Sequence, residues 1–201
     1  MEYEGLSLDD LDNVRALNRV WLELHRSTEP GLSAKRLERL ANTPFLLFSF
    51  CEHDDVRWSE LLGERRQLDM LERETVDSAG LRELQAAGLG FLWELVRRNP
   101  YVARIVSNAS SHWCERVAAS TLVKVLECAK YRMIEPRFED NTSLKRRFLA
   151  RGSALEREMR VFTQIGALQA MLTNGQAAQY GRLSAAACRM PQSGRQVADE
   201  V

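Results

Sequence analysis

Apolar residues recur at three- and four-residue intervals along most of the chain, and no stretch sustains period-two alternation between turn residues. Positions i, i+3, i+4 and i+7 share one face only in a helix, whereas a half-buried strand needs a repeat of two. The spacing therefore predicts an all-α fold, a single-domain bundle of about five to seven helices with a long C-terminal helix. The 201 residues, 45 % hydrophobic and 28 % charged, suffice for one sizeable core and argue against a chain disordered throughout.

Caps and breakers divide the pattern. Ser7, with Asp10 three residues on, precedes the stripe Leu8, Leu11, Val14, Leu17, Trp21 and Leu24, which predicts a helix over 8–26. Pro30-Gly31 ends it, Ser33 caps a short helix over 34–42, and Pro44 stops that one. Phe45 to Phe50 is too short for periodicity to separate helix from strand, and helix is the reading favoured here. Asp54 or Asp55 caps a stretch with Trp58, Leu61 and Leu62 inward, followed by an exposed, ion-pair-decorated helix through Glu64–Glu74.

Asp77 or Ser78 starts a helix with Leu81, Leu84, Gly88, Phe91, Leu92, Leu95 and Val96 on one face, ended by Pro100. Gly88 and Gly90 weaken a helix by roughly 1 kcal/mol each relative to Ala, which points to a close helix crossing rather than a cofactor loop. Ser110 or Ser111 opens a helix to about Arg132, with Cys114, Ala118, Leu122, Val125, Ala129 and Met133 on its apolar face. From Asn141 or Thr142 a stripe of Leu144, Phe148, Gly152, Leu155, Met159, Phe162, Ile165, Leu168 and Leu172 holds its register through Gly152, predicting one helix over 142–174. The helical domain is thus placed at 1–174. Residues 175–201, rich in Gly, Ala, Gln and Ser, are expected to form a frayed helix and then a disordered tail.

Net charge is zero but sorted by half. Residues 1–80 hold 17 acidic against 10 basic side chains, a balance of −7, and residues 81–201 hold 11 against 18, a balance of +7. Such a split raises the expectation of a charged partner, or of two copies joined through opposite patches, against the alternative that the patches satisfy each other within one monomer. The acidic start lacks the basic and apolar regions of a secretory signal, and no apolar run is long enough to cross a bilayer. A cytoplasmic protein without membrane contact is the expectation. Cys51, Cys114, Cys128 and Cys188 are irregularly spaced in a chain that can bury a core unaided, so reduced thiols are expected.

Motifs for chemistry are sparse. Cys51-Glu52-His53 and His112-Trp113-Cys114 pair potential zinc ligands across a single residue, shorter than the usual gaps of structural sites. Residues two apart on a helix point about 200° apart, so His112 and Cys114 cannot both face one metal; the cysteines are read as structural thiols, and no metal or cofactor is assigned. His53 beside Asp54 and Asp55 has the make-up of an acid–base group, but the same residues make an ordinary helix cap. His25 flanks the stripe one turn after Trp21. No Gly-rich phosphate loop, nucleophile elbow or H-E-x-x-H run occurs, and catalytic residues stay unassigned.

The basic segment is the better candidate. On one continuous helix Lys145, Arg146, Arg157 and Arg160 lie away from the apolar stripe, with Arg147 and Arg151 nearer its edge. These four are the expected partner-binding residues. The sequence favours a non-enzymatic adaptor or regulatory protein that docks to a protein through charged helical surfaces. Two alternatives stand beside it: a nucleic-acid-binding regulator using the same basic face, and a helical enzyme with a core metal or cofactor near His53 and His112.

Overall fold

The computed structural model describes residues 6–25, 33–63, 78–137 and 142–187. Among them the fold is mostly helical. The helices are α1 (Leu8–Leu24), α2 (Ala34–Ala41), α3 (Asp55–Leu62), α4 (Ala79–Arg98), α5 (Pro100–Ser107), α6 (Ser111–Ala119), α7 (Leu122–Glu127), α8 (Thr142–Gly152) and α9 (Arg157–Ala187). A 3-10 turn at Cys128–Lys130 follows α7, and two short strands, β1 (Phe48–Ser49) and β2 (Glu135–Pro136), pair antiparallel. The expected ion-pair helix at 64–74 and the tail at 188–201 lie outside the described residues.

Capping chemistry sets the boundaries. Ser7 and Asp10 form a reciprocal capping box on α1. The Asp54 carboxylate accepts from Arg57 N (3.0 Å) at the start of α3, and Ser110 Oγ accepts from Trp113 N (3.0 Å) at the start of α6. Pro100 ends α4 as expected but also begins α5, a helix the sequence reading left out. Pro occupies the first turn there, where its missing N–H is harmless, and Asn99 Oδ1 accepts from Val102 N (3.2 Å).

Two helices read as continuous are broken by side chains that compete for the backbone, and these breaks together with α5 bring the described residues to nine helices where five to seven were expected. The helix expected from 111 to 132 stops at Ser120, whose hydroxyl turns back to Arg116 O (2.9 Å) while Trp93 Nε1 donates to Ser120 O (2.9 Å). Thr121 then caps α7. The helix expected over 142–174 breaks at 153–156. Ser153 Oγ donates to Leu149 O (2.7 Å), and the Arg160 guanidinium takes Ala154 O (2.9 Å) and Leu155 O (2.6 Å), carbonyls that a continuous helix would have used itself.

The segment from Phe45 to Phe50 is extended, not helical. Phe45, Leu46, Leu47, Phe48 and Phe50 are all buried, so every polar backbone group along them needs a partner from elsewhere. Asn18 of α1, fully buried, donates to Phe45 O (2.9 Å) and accepts from Leu47 N (2.9 Å). Leu46 N donates to Val106 O (3.0 Å), Arg137 N to Leu47 O (3.0 Å), and Trp58 Nε1 to Phe50 O (3.2 Å). Gln85 of α4 clamps the facing segment in the same way, donating to Ala129 O and Tyr131 O and accepting from Met133 N.

α4 lies at the centre, packed on α1, α5, α6 and α7. The close approach expected at Gly88 is made by a ring and not by a helix: a Cβ there would sit 2.4 Å from Phe50 Cζ. Phe50 in turn packs edge-on to Phe48 at 5.4 Å, and Trp58 edge-on to Trp113 at 5.3 Å.

Candidate docking surface

α8 and α9 are joined by four residues and pack together as antiparallel neighbours, forming a hairpin on the body of the fold. Leu144, Phe148 and Gly152 of α8 are buried, with Phe148 against Phe45 at 6.0 Å between ring centroids and Gly152 under Leu40 of α2. Arg36 of α2 donates to Ser153 Oγ (2.9 Å), pinning the turn. The opposite side of α8 is left to Ser143, Arg146, Arg147, Ala150 and Arg151, all exposed.

The break in the helix redistributes the predicted partner-binding residues. Lys145 and Arg146 lie near the start of α8, and Arg157 and Arg160 in the first turn of α9, so the four do not share one helix face. Arg146 and Arg157 are exposed, Lys145 is half-buried, and Arg160 is held against the turn carbonyls. Arg147 and Arg151, read from the sequence as edge residues, are a solvent-facing pair one turn apart. Among the described residues, Arg146, Arg147 and Arg151 have no acidic partner, and α8 itself contains no Asp or Glu.

α9 also departs from the sequence pattern. Gln164, Ala167 and Met171 are buried, whereas Leu155, Met159, Phe162, Ile165 and Leu172 are exposed. The single apolar stripe therefore divides at the turn. Its first part, Leu144 to Gly152, enters the core, and most of its second part faces solvent.

The histidine regions meet at the junction of α3 and α6. His112 Nδ1 lies 3.4 Å from Asp55 Oδ1, and His53 Nε2 lies 3.4 Å from Asn108 Nδ2. Arg116 runs between the helices, donating to Asp55 O (3.0 Å) and to Ser59 Oγ. Cys114 points away into the core, while Cys51 sits in the left-handed region (φ 55°) with its thiol donating to Met133 O (3.3 Å). Among the described residues no three His, Cys, Asp or Glu side chains are grouped to hold a metal ion. Burial pushes the Cys51 thiol up to about 12, with the Glu135 carboxylate adding to it. Burial likewise raises Cys114 to about 11, with Arg104 opposing.

Part of the charge split is closed inside one copy. Glu52, fully buried, and Arg137, nearly so, approach to 3.7 Å. The same Arg137 Nη2 that faces Glu52 donates to Phe48 O (2.7 Å), as does Nε (3.2 Å), and Glu52 Oε2 accepts from Ser49 Oγ. Burial pulls the Arg137 guanidinium below its ordinary value and Glu52 opposes that shift. Asp10 and Arg98 make a second bridge between the halves. Burial pushes the Asp10 carboxyl up, yet hydrogen bonds from Arg98 and Ser7, with the Arg98 charge, outweigh it and hold the group below its usual value. No protein-family model matches the chain, and no curated protein or solved structure matches it significantly.

Among the described residues, no helix is long and apolar enough to cross a membrane.

Proposed function

We propose that this protein is a non-enzymatic adaptor or regulatory protein whose α8 face docks to an acidic surface on a protein partner. The observation that carries the reading is the solvent side of α8, where Arg146, Arg147 and Arg151 stand together without an acidic neighbour on their own helix. Arg157 extends the positive potential at the hairpin turn. Arginine forks suit carboxylates geometrically, and a rigid helix packed on α2 presents them at little entropic cost. Arg160 lies at the border of this surface, held by the turn carbonyls Ala154 O and Leu155 O, and Lys145 is half-buried beside it.

A protein is favoured over a nucleic acid because the basic stripe is only about two turns long. The acidic first half would also repel a long polyanion that extended beyond it. The test compares capture by the wild-type chain with capture by the triple variant R146E/R147E/R151E, followed by reconstitution with the purified captured protein. A defined acidic protein that binds wild type and loses at least tenfold in affinity on reversal supports the reading. Loss of nucleic acid alone, or an unchanged profile, overturns it.

A further inference from the structure

We infer that Ser143 is a phosphorylation site, and that a phosphate there closes the α8 docking face by drawing Arg146 and Arg147 onto itself. The regulatory half of this inference rests on the α8 docking reading; the modification itself does not.

Ser143 lies in the first turn of α8 and is exposed. On a helix the residues three and four positions on fall about 60° to one side of it and about 40° to the other, with Cβ atoms about 5–6 Å away. Those residues are Arg146 and Arg147, both exposed. A group carried on Ser143 Oγ therefore stands between two guanidinium groups. Among the described residues with exposed side chains, no other Ser or Thr has a basic residue at both positions. Ser33, Ser78 and Thr121 have one each, at Arg36, Arg82 and Lys124, and Arg36 is already committed to Ser153 Oγ.

A phosphoserine carries a charge of about −1.5 to −2 at pH 7 and three strong acceptor oxygens, which arginine forks meet bidentately. Position along the helix favours it further. An acid one turn N-terminal to a base is the better order for a helical pair, and the first turn of a helix favours negative charge. α8 has no carboxylate of its own to compete for the two arginines. The run Lys145-Arg146-Arg147 just after the acceptor serine gives a protein kinase a basic sequence to read. Transfer of the γ-phosphoryl group of ATP forms the bond from Ser143 Oγ to phosphorus, breaks the bond from phosphorus to the β–γ bridging oxygen, and releases ADP and a proton.

The consequence for docking follows from charge. Arg146, Arg147 and Arg151 make up the bare face. The phosphate cancels about two of those charges and occupies the forks of Arg146 and Arg147, leaving Arg151 alone to meet a partner's carboxylates. It also repels the acidic surface that the bare face attracts.

Two preparations of the full chain test the inference: protein purified from its own host in growth and in starvation, and protein with phosphoserine incorporated at position 143 during translation. Tandem mass spectrometry of the host protein should place phosphate on Ser143, and its absence in every condition overturns the site. In a phosphorus NMR titration the phosphoserine should lose its second proton below the ordinary value of about 6, and R146Q/R147Q should return it there. An ordinary value with both arginines present overturns the pairing. The acidic protein captured through α8 should bind the phosphorylated chain at least about tenfold more weakly than wild type, while Ser143→Ala binds as wild type does. Equal binding by the phosphorylated chain overturns the switch. A host protein that carries the phosphate, paired with its arginines, but captures no acidic protein refutes the docking reading alone and leaves the modification standing.

Discussion

Gln85→Met removes one of the two buried amide clamps at almost constant volume, since methionine is unbranched, of similar length and easily accommodated. The native amide donates to Ala129 O at 2.9 Å and to Tyr131 O at 2.8 Å, and accepts from Met133 N at 2.9 Å. Gln85 is fully buried, so the peptide groups released at 129 and 133 cannot turn to water without opening the core. Each buried group left unsatisfied costs about 1–3 kcal/mol, which puts the variant about 3–5 kcal/mol below wild type. Single-domain proteins have about 5–15 kcal/mol of stability, so the loss is a large share of it. Guanidinium unfolding followed by tryptophan fluorescence should show a midpoint lower by about 0.5–1 M, given slopes typical of a chain this size. A midpoint within about 0.2 M of wild type would refute the argument that side-chain amides hold the non-helical segments.

Thiol chemistry gives a second test. With values raised to about 12 and about 11, Cys51 and Cys114 have far less thiolate at pH 8 than ordinary cysteines. In the folded protein they should alkylate at least about a hundredfold more slowly than after denaturation, by mass-resolved iodoacetamide labelling; comparable rates would contradict the burial described. Asp10→Asn should lower the unfolding midpoint at pH 7. Because the folded-state carboxyl is held below its ordinary value, its contribution is present above the unfolded value and lost as pH falls through the folded one. The gap between wild type and variant should therefore close below about pH 4, and a gap constant from pH 7 to pH 3 would count against an ionised Asp10.

Helix starts were legible wherever a short polar side chain precedes an apolar stripe, as at Ser7, Asp54 and Ser110, because capping is a contact within one turn. The missed features all depend on partners distant in sequence. Phe45–Phe50 has the composition of a buried helix, and Asn18, Val106, Trp58, Arg137 and strand β2, all brought from elsewhere in the chain, satisfy it as an extended segment. Asn18 and Gln85 each interrupt an apolar face, and that signal in the sequence was there to be used. A lone amide within a core stripe marks backbone that needs an external partner.

For the candidate surface, the sequence supplied the basic residues but not their arrangement. Assuming one helix over 142–174 grouped Lys145 and Arg146 with Arg157 and Arg160; the turn at 153–156 separates those pairs and brings Arg146, Arg147 and Arg151 together instead.

The all-α class, the caps, the split of charge between halves and the absence of a recognised catalytic motif are properties of the sequence by itself, because each follows from composition or from contacts within a few residues. Tertiary structure alone decided where helices break, which face of each points outward, and which charges find partners inside the molecule. Periodicity reports that residues share a helix face but not what that face packs against. Leu144 and Phe162 belong to the same repeat, yet the hairpin turn buries one and leaves the other facing solvent.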